Sequence, residues 1–260
     1  MVEKPWGRDS LPIPFHTPVG QRIGEIWFEP PSEVDELLVK YIFTREKLSV
    51  QVHPSDDQLP GHGKEECWLI VHAEPGAKLG IGFREPIDAA AMRKAALDGS
   101  IERLMEWHTV RPGDFFYIPA GTVHAIGAGV SLIEIQQNSD VTYRLYDYGR
   151  PRELHLDKAI EVARGEPYPR NLRKHVAASG SSVLADGPLF RLQQVEGMPG
   201  EAVLAEFGAR PFLVIPREGP VFVAGGEITP GSCGVVLSSE ELDIPKYAVA
   251  FLAQPCAARA

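Results

Sequence analysis

Four polar side chains in the first half of the chain are of types that bind divalent metal ions. Gln51 and His53 lie two residues apart in the segment LSVQVHPSD, so an extended chain turns both to one face and the neighbouring valines to the other. Glu66 begins a further strand-like segment, and His124 follows GDFFYIPAG in a turn. Two imidazoles, one carboxylate and one amide oxygen suit zinc or a similar ion and leave room for water or substrate. These residues therefore indicate a metal site of the open, catalytic type.

The elements that position these residues are mostly short strands. Gly (25) and Pro (23) are abundant and fall between apolar runs rich in Val, Ile, Phe and Tyr, which favours many strands joined by turns. We predict strands at 22–29, 37–44, 47–53, 66–73, 114–120, 130–137 and 141–148. We predict helices at 31–38, in two pieces within 86–107 with Ser100 capping the second, and at 156–165. The pattern predicts a mainly β chain, built as a jelly-roll sandwich or barrel with a few short helices.

Two segments of similar pattern suggest that the chain repeats this architecture. RPGDFFYIPAGTVHAI (111–126) and TPGSCGVVLSSEELDI (229–244) align without a gap and place His124 opposite Leu242. We therefore expect two related barrels, of which the second has lost its histidine. The predicted domains are a metal-binding catalytic domain over 1–165 with a helical insertion near 86–107, and a smaller degenerate barrel without helices over 183–260. The Pro-, Gly- and Ser-containing segment at about 166–182 is the expected linker.

Composition excludes several classes of protein. A net charge of -9 argues against a nucleic-acid partner, which would require a basic face, but it is compatible with a small phosphorylated ligand. The three cysteines form no C-x-x-C pair, so a disulfide framework is not expected and a reducing compartment fits best. No leader-like apolar segment begins the chain, and no apolar run is long enough to span a membrane. We expect a cytoplasmic protein with no membrane partner, and nothing in the sequence indicates its oligomeric state.

Several motifs resemble those of known families. GDFFYIPAGTVHAIG fits the second cupin motif, Gly-x5-Pro-x-Gly-x2-His, although Ala128 stands where that motif usually has asparagine. The first cupin motif usually offers His-x-His, which is replaced here by Gln51-x-His53. SVQVHPSD followed by GKEECW is similar instead to the type I mannose-6-phosphate isomerases in their short bacterial form. The resemblance covers about residues 4–157 and includes the motifs KPWG, GEIW, LLVK and LIEIQQNSDVTYRLYDYGR.

The resemblance implies a bicupin fold, an activity and a ligand set. The activity is that of a zinc-dependent intramolecular oxidoreductase, which interconverts mannose 6-phosphate and fructose 6-phosphate through a cis-enediol. The implied ligands of one zinc ion per chain are Gln51, His53, Glu66 and His124.

Six further residues are candidates for binding and chemistry. Lys40 is an isolated cation in the apolar run LLVKYIF, Ser49 shares a face with the glutamine and histidine of Q-x-H, and Lys64 shares a face with the glutamate two residues on. We expect these three to bind the sugar or its phosphate. The resemblance assigns a catalytic role to Arg144, whose alternative is a salt bridge to a nearby aspartate. The candidates for proton transfer are Glu134 and Asp140, with Lys64 and a ligand-bound water as alternatives.

Other interpretations of the same residues stay open. One alternative is a different cupin metalloenzyme, such as another sugar isomerase or an oxygenase, since iron sites also use histidine and carboxylate ligands. A second is a sugar-binding cupin without catalysis. His62, His155 and His175 lie in polar, loop-like sequence and are interpreted as bystanders.

Overall fold

A computed structural model describes residues 1–256 of the chain, which form twenty strands and four α-helices. The strands are β1 (Val2–Arg8), β2 (Ile23–Phe28), β3 (Leu37–Phe43), β4 (Val50–Val52), β5 (Glu66–Ala73), β6 (Lys78–Phe83), β7 (Met105–Thr109), β8 (Asp114–Ile118), β9 (His124–Ile126), β10 (Val130–Gln137), β11 (Tyr143–Tyr146), β12 (Arg173–His175), β13 (Ser182–Asp186), β14 (Phe190–Glu196), β15 (Phe212–Glu218), β16 (Val221–Val223), β17 (Gly226–Ile228), β18 (Gly234–Val236), β19 (Leu242–Asp243) and β20 (Val249–Pro255). The helices are α1 (Ala89–Asp98), α2 (Ile101–Leu104), α3 (Leu156–Val162) and α4 (Glu201–Phe207). The prediction of a mainly β chain with a few short helices is confirmed.

The contacts divide the chain into two compact units. The first comprises Met1–Leu11, Thr17–Trp27 and Lys40–Val176, and the second comprises Pro12–His16, Phe28–Val39 and the chain from Ala177 onward. Within the segment expected to be a linker, residues 173–175 form β12, which pairs with β8. The assignment of a catalytic domain before residues 166–182 and a degenerate barrel after them stays a prediction.

Two antiparallel sheets face each other in the first unit. One has the strand order β1-β2-β3-β10-β5-β8-β12 and the other the order β11-β4-β9-β6-β7. Their facing sides share one apolar core, to which the first sheet contributes Trp68 and Phe116 and the second contributes Leu79 and Ile126. Burial of this apolar surface between two layers holds the sheets together, as in other β-sandwiches.

Helices cover the outer face of the five-stranded sheet. Val50, Val52 and Ala125 point to this side and pack in one buried cluster with Met92 of α1 and Ala159 of α3. Successive residues of a strand point to opposite faces. The residues between and beside these apolar anchors therefore point into the space between the two sheets, where a polar site can form.

The first helix of the insertion, α1, begins and ends at residues that suit helix caps. The Asp88 carboxylate accepts a hydrogen bond from the Ala91 backbone N–H at 2.7 Å, and Gly99 ends α1 in the left-handed region with φ 75°. Ser100 occupies the N-cap position of α2, as predicted, but its side chain makes no capping hydrogen bond. The second predicted helix is also shorter than expected, because residues 105–109 pair with β6 as β7.

The second unit contains a five-stranded sheet, β13-β14-β20-β15-β18, and a three-stranded sheet, β17-β16-β19. Its buried core includes Phe212, Val221 and Leu252. The two aligned segments agree locally: Gly113 and Gly231 have φ 90° and 88°, a strand follows each, and His124 and Leu242 each begin the next strand.

Two further sequence predictions are wrong. The region predicted to lack helices contains α4, whose sequence EAVLAEF is rich in helix formers but too short to show a helical period. The helix predicted at 31–38 is a single 3-10 turn at Ser32–Val34, because the apolar residues from Leu37 onward enter the buried strand β3. None of the helices in residues 1–256 is long and apolar enough to cross a membrane.

Candidate metal centre and cavity

Sheet register brings the four predicted ligands together. Gln51 of β4 lies directly opposite His124 of β9, and His53 follows the end of β4. Glu66 begins β5 in the facing sheet. One donor atom from each of His53, Glu66 and His124 lies within 4.8 Å of the others, and all three residues are buried. This group, which we call the His–Glu–His centre, is composed of residues that can hold a metal ion.

Hydrogen bonds orient both imidazoles toward the centre. His53 Nδ1 is 2.8 Å from the Val141 carbonyl oxygen, and His124 Nδ1 is 2.9 Å from the Thr122 carbonyl oxygen. Each Nε2 therefore faces Glu66, at 3.6 Å for His53 and 3.4 Å for His124. Burial holds the pKa of His53 well below its usual range and lowers the pKa of His124 to about 4. Both rings are thus neutral near pH 7, which is the form that binds metal.

The glutamate has an unsatisfied oxygen that favours a cation at this centre. Glu66 is fully buried, and its Oε1 atom has no hydrogen-bond partner among the described residues. A buried carboxylate oxygen without a partner is costly, and a coordinated cation would satisfy it. Gln51 lies beside this group, with its Nε2 atom 3.3 Å from His124 Nε2 and its Oε1 accepting from the Ser49 hydroxyl. A half-turn of the amide presents its oxygen to the centre instead.

Two buried lysines and a second buried glutamate lie close to the His–Glu–His centre. The Lys64 ammonium contacts the Glu66 carboxylate and lies 4.0 Å from Glu134, while Lys40 Nζ lies 3.5 Å from Glu134. Burial lowers the pKa of Lys40. Burial also acts on Lys64, but the two carboxylates outweigh it and raise its pKa. For Glu134, burial opposes ionisation, yet the two ammonium groups outweigh it and hold the pKa of this carboxyl below its usual range.

A cavity of about 450 Å³ adjoins the centre. Gln51 and Lys64 both line the cavity and contact the His–Glu–His centre. The other predicted residues on its wall are Lys40, Ser49, Glu134, Asp140 and Arg144. The structure thus brings every predicted binding or catalytic residue to one cavity. Asp140 is exposed at the rim, whereas Glu134 is buried.

Arg144 projects from β11 directly opposite Gln51 in the sheet register. Its Nη1 atom donates to the Glu153 carbonyl oxygen at 3.4 Å. The alternative considered from the sequence, a salt bridge to Asp140 or Asp147, is not formed within residues 1–256. Asp147 instead accepts from Arg150 and Arg152.

Sequence interpretation missed part of the cavity wall. Arg152 and His155 line the cavity, although His155 was interpreted as a bystander. The Arg144 backbone N–H donates to His155 Nδ1 at 3.2 Å, which brings the segment after β11 back beside that strand. The segment after β11 shows no strand or helix periodicity, so the sequence does not predict that it folds back beside that strand.

About half of the chain is similar to curated mannose-6-phosphate isomerases. It is 44% identical over 155 residues to mannose-6-phosphate isomerase ManA of Bacillus subtilis, which covers 54% of this chain and 47% of that protein. It is 39% identical over 148 residues to the mannose-6-phosphate isomerase of Streptococcus mutans, with 53% and 46% covered. The chain therefore spans about half the length of the curated relatives it matches. A search against protein-family models finds no match.

Solved structures extend the similarity of fold to nearly the whole chain. A crystal structure of mannose 6-phosphate isomerase from Bacillus subtilis superposes with a TM-score of 0.70 at 23% identity, over 97% of this chain and 96% of that one. A zinc-bound mannose 6-phosphate isomerase gives a TM-score of 0.72 at 13% identity, over 98% and 97%. The resemblance indicated by the motifs is confirmed. By sequence over half its length and by fold over nearly all of it, this chain is similar to mannose-6-phosphate isomerases.

Proposed function

We propose that this protein is a metal-dependent aldose–ketose isomerase that interconverts mannose 6-phosphate and fructose 6-phosphate. The observation that carries the proposal is the junction of the buried His–Glu–His centre with a cavity lined by both cations and carboxylates. A pure sugar-binding site would not require an open metal centre beside convergent acids and bases. The relatives named for this activity support the choice of substrate.

We assign Gln51, His53, Glu66 and His124 as ligands of one zinc ion per chain. The two histidines, the carboxylate and the amide have the donor chemistry that zinc prefers, and the zinc-bound relative supports this choice of metal. Zinc, when bound, supplies Lewis-acid stabilisation of the negative charge that develops on O1 or O2 of the open-chain sugar. The orphaned oxygen of the glutamate is the specific feature of this chain that favours a cation here.

The reaction requires proton transfers between adjacent carbons. A base removes the C2 proton of the aldose while O1 gains a proton, which gives the cis-enediol. The O2 proton then leaves as C1 is protonated, which gives the ketose. Glu134 and Asp140 are the candidates for the carbon proton transfer. Glu134 is held ionised by two neighbouring ammonium groups, and Asp140 reaches the cavity from its rim.

The remaining polar residues bind the substrate and stabilise charge. Arg144 stays protonated at every working pH and stabilises the enediolate from the cavity wall, on the strand next to that of Gln51. Lys40, Ser49 and Lys64 are buried donors on the cavity wall, where they contact the oxygens of the sugar. Burying two lysines is costly, which is consistent with a functional use of their charge. The three cysteines are unpaired, which supports a cytoplasmic location.

A coupled assay of mannose 6-phosphate conversion to fructose 6-phosphate tests the proposal. We expect turnover by purified protein, its loss after treatment with EDTA, and its recovery when zinc is added. Folded protein that holds one zinc ion per chain and shows no turnover would refute the proposed function. Oxygen uptake, or conversion of a different sugar, would then identify one of the other cupin activities.

A further inference from the structure

A second guanidinium lies on the cavity wall beside Arg144 and has no role in the scheme above. Arg152 follows β11 and lines the cavity. Its Nε and Nη2 atoms donate to the two carboxylate oxygens of the buried Asp147, at 2.6 and 2.8 Å. This bidentate contact fixes the plane of the guanidinium, and neither bond uses Nη1. The residue is therefore a rigidly held cation at a cavity surface.

Two guanidinium groups share the one carboxylate that holds Arg152. Asp147 also accepts from the Arg150 guanidinium, at 2.7 and 3.1 Å, so one carboxylate is shared by two arginines. Arg144 adds a third guanidinium and pairs with no carboxylate among residues 1–256. Asp140 and Glu153 also line the cavity, but both are exposed, and the Glu153 carboxylate is 83% exposed and lies 3.9 Å from His155, so solvent screens their charge. The wall thus offers a site for an anion.

The lysines of the cavity are already paired. Lys64 contacts Glu66 of the His–Glu–His centre, and Lys40 is held by Glu134 and by Gln136, whose Oε1 it contacts at 2.6 Å. Lys4 pairs with Glu25 at 3.3 Å. Lys64 and Lys40 are therefore placed to act near the metal, where C1 and C2 of the sugar react. The phosphate of a hexose 6-phosphate lies at the opposite end of the molecule and needs a different cation.

We propose that Arg152 recognises the phosphate group of the substrate and that Asp147 holds it in position to do so. The identity of the sugar rests on the proposed function, whereas the anion site rests on the arginines that line the cavity, Arg144 and Arg152. A planar guanidinium matches the geometry of phosphate oxygens, and its fixed orientation lowers the entropy lost on binding. Arg152 thereby makes the enzyme selective for a phosphorylated hexose over the free sugar.

The test compares Arg152→Gln with Arg150→Gln. Both variants remove one guanidinium from Asp147, but Arg150 does not line the cavity. For Arg152→Gln we expect the KM for mannose 6-phosphate to rise about 10- to 100-fold, with kcat within about twofold of wild type. Inhibition by inorganic phosphate should weaken by a similar factor. Arg150→Gln should leave both quantities near wild type, and circular dichroism confirms folding.

Each outcome decides the proposal. An unchanged KM and unchanged phosphate inhibition in Arg152→Gln would overturn it, and so would equal rises in both variants, which would indicate a structural role for the Asp147 network. If Arg152→Gln does not fold, Arg152→Lys keeps the charge without the bidentate geometry and should raise KM several-fold; no rise would overturn the proposal. If the wild type has no isomerase activity, calorimetry with inorganic phosphate still tests the site. Binding that is weakened only in Arg152→Gln supports it, and equal binding refutes it.

Discussion

The buried ion pair between Lys40 and Glu134 gives a quantitative prediction about the interior of the first unit. The two residues are 6% and 4% exposed, and Nζ and Oε1 are 3.5 Å apart. At an effective dielectric constant of about 20 this attraction is about 5 kcal/mol before desolvation. Lys40→Met removes it and leaves Glu134 buried with Lys64, at 4.0 Å, as its remaining ion-pair partner. We expect the free energy of unfolding to fall by about 3 kcal/mol.

Urea unfolding followed by tryptophan fluorescence measures this loss selectively. All four tryptophans, at positions 6, 27, 68 and 107, belong to the first unit, so their signal reports on the part of the chain that contains the pair. Arg93→Met is the matched control, because Arg93 and Asp157 are 2.6 Å apart but 42% and 92% exposed. Solvent screening should keep its effect below about 1 kcal/mol despite the shorter distance.

The double variant Lys40→Met/Glu134→Gln separates the ion pair from simple loss of packing. With no uncompensated charge left from this pair, its loss of stability should be smaller than the sum of the single losses by about 1–3 kcal/mol. Additive effects, or a loss in Lys40→Met no larger than that in Arg93→Met, would show that the pair does not stabilise the interior as we reason.

Three further predictions concern the metal, the chemistry and pH. His124→Ala should lose bound zinc by metal analysis, and retention of one zinc per chain would exclude it as a ligand. Arg144→Ala should lower kcat by about 100-fold with metal content unchanged, and an unchanged kcat would remove it from the mechanism. Burial lowers the pKa of His108, so as pH falls through about 6.5 the unfolded chain takes up the proton first and stability is lost. His108→Phe should therefore lose less stability between pH 8 and pH 5 than wild type in urea unfolding, and an equal loss would contradict this.

Strand periodicity predicted much of the site, because most of its residues lie on strands with one apolar face. Val50 and Val52 anchor β4 against the helices, which turns Gln51 toward the facing sheet, as their alternation indicated. The isolated charge of Lys40 in an apolar run indicated either solvent or a polar cavity, the resemblance favoured the cavity, and Lys40 lines one. Here local pattern and tertiary structure agree.

The sequence did not predict features that depend on distant partners. Residues 105–109 leave the helical pattern because β6 supplies hydrogen bonds to them. Arg152 and His155 reach the cavity through contacts with Asp147 and with the backbone of Arg144, which no local period encodes. The loop that completes the cavity is therefore the part of the site that a sequence pattern describes least.

The central position of β20 has a consequence for synthesis of the protein. In the five-stranded sheet of the second unit, β14 and β15 each pair with β20 and not with each other. That sheet cannot reach its native order until residues 249–255 have left the ribosome. Every strand that carries a metal-site or cavity residue precedes residue 176, so these strands are all available for pairing earlier in translation. A stalled nascent chain lacking β20 should thus bind metal before its second unit becomes resistant to protease.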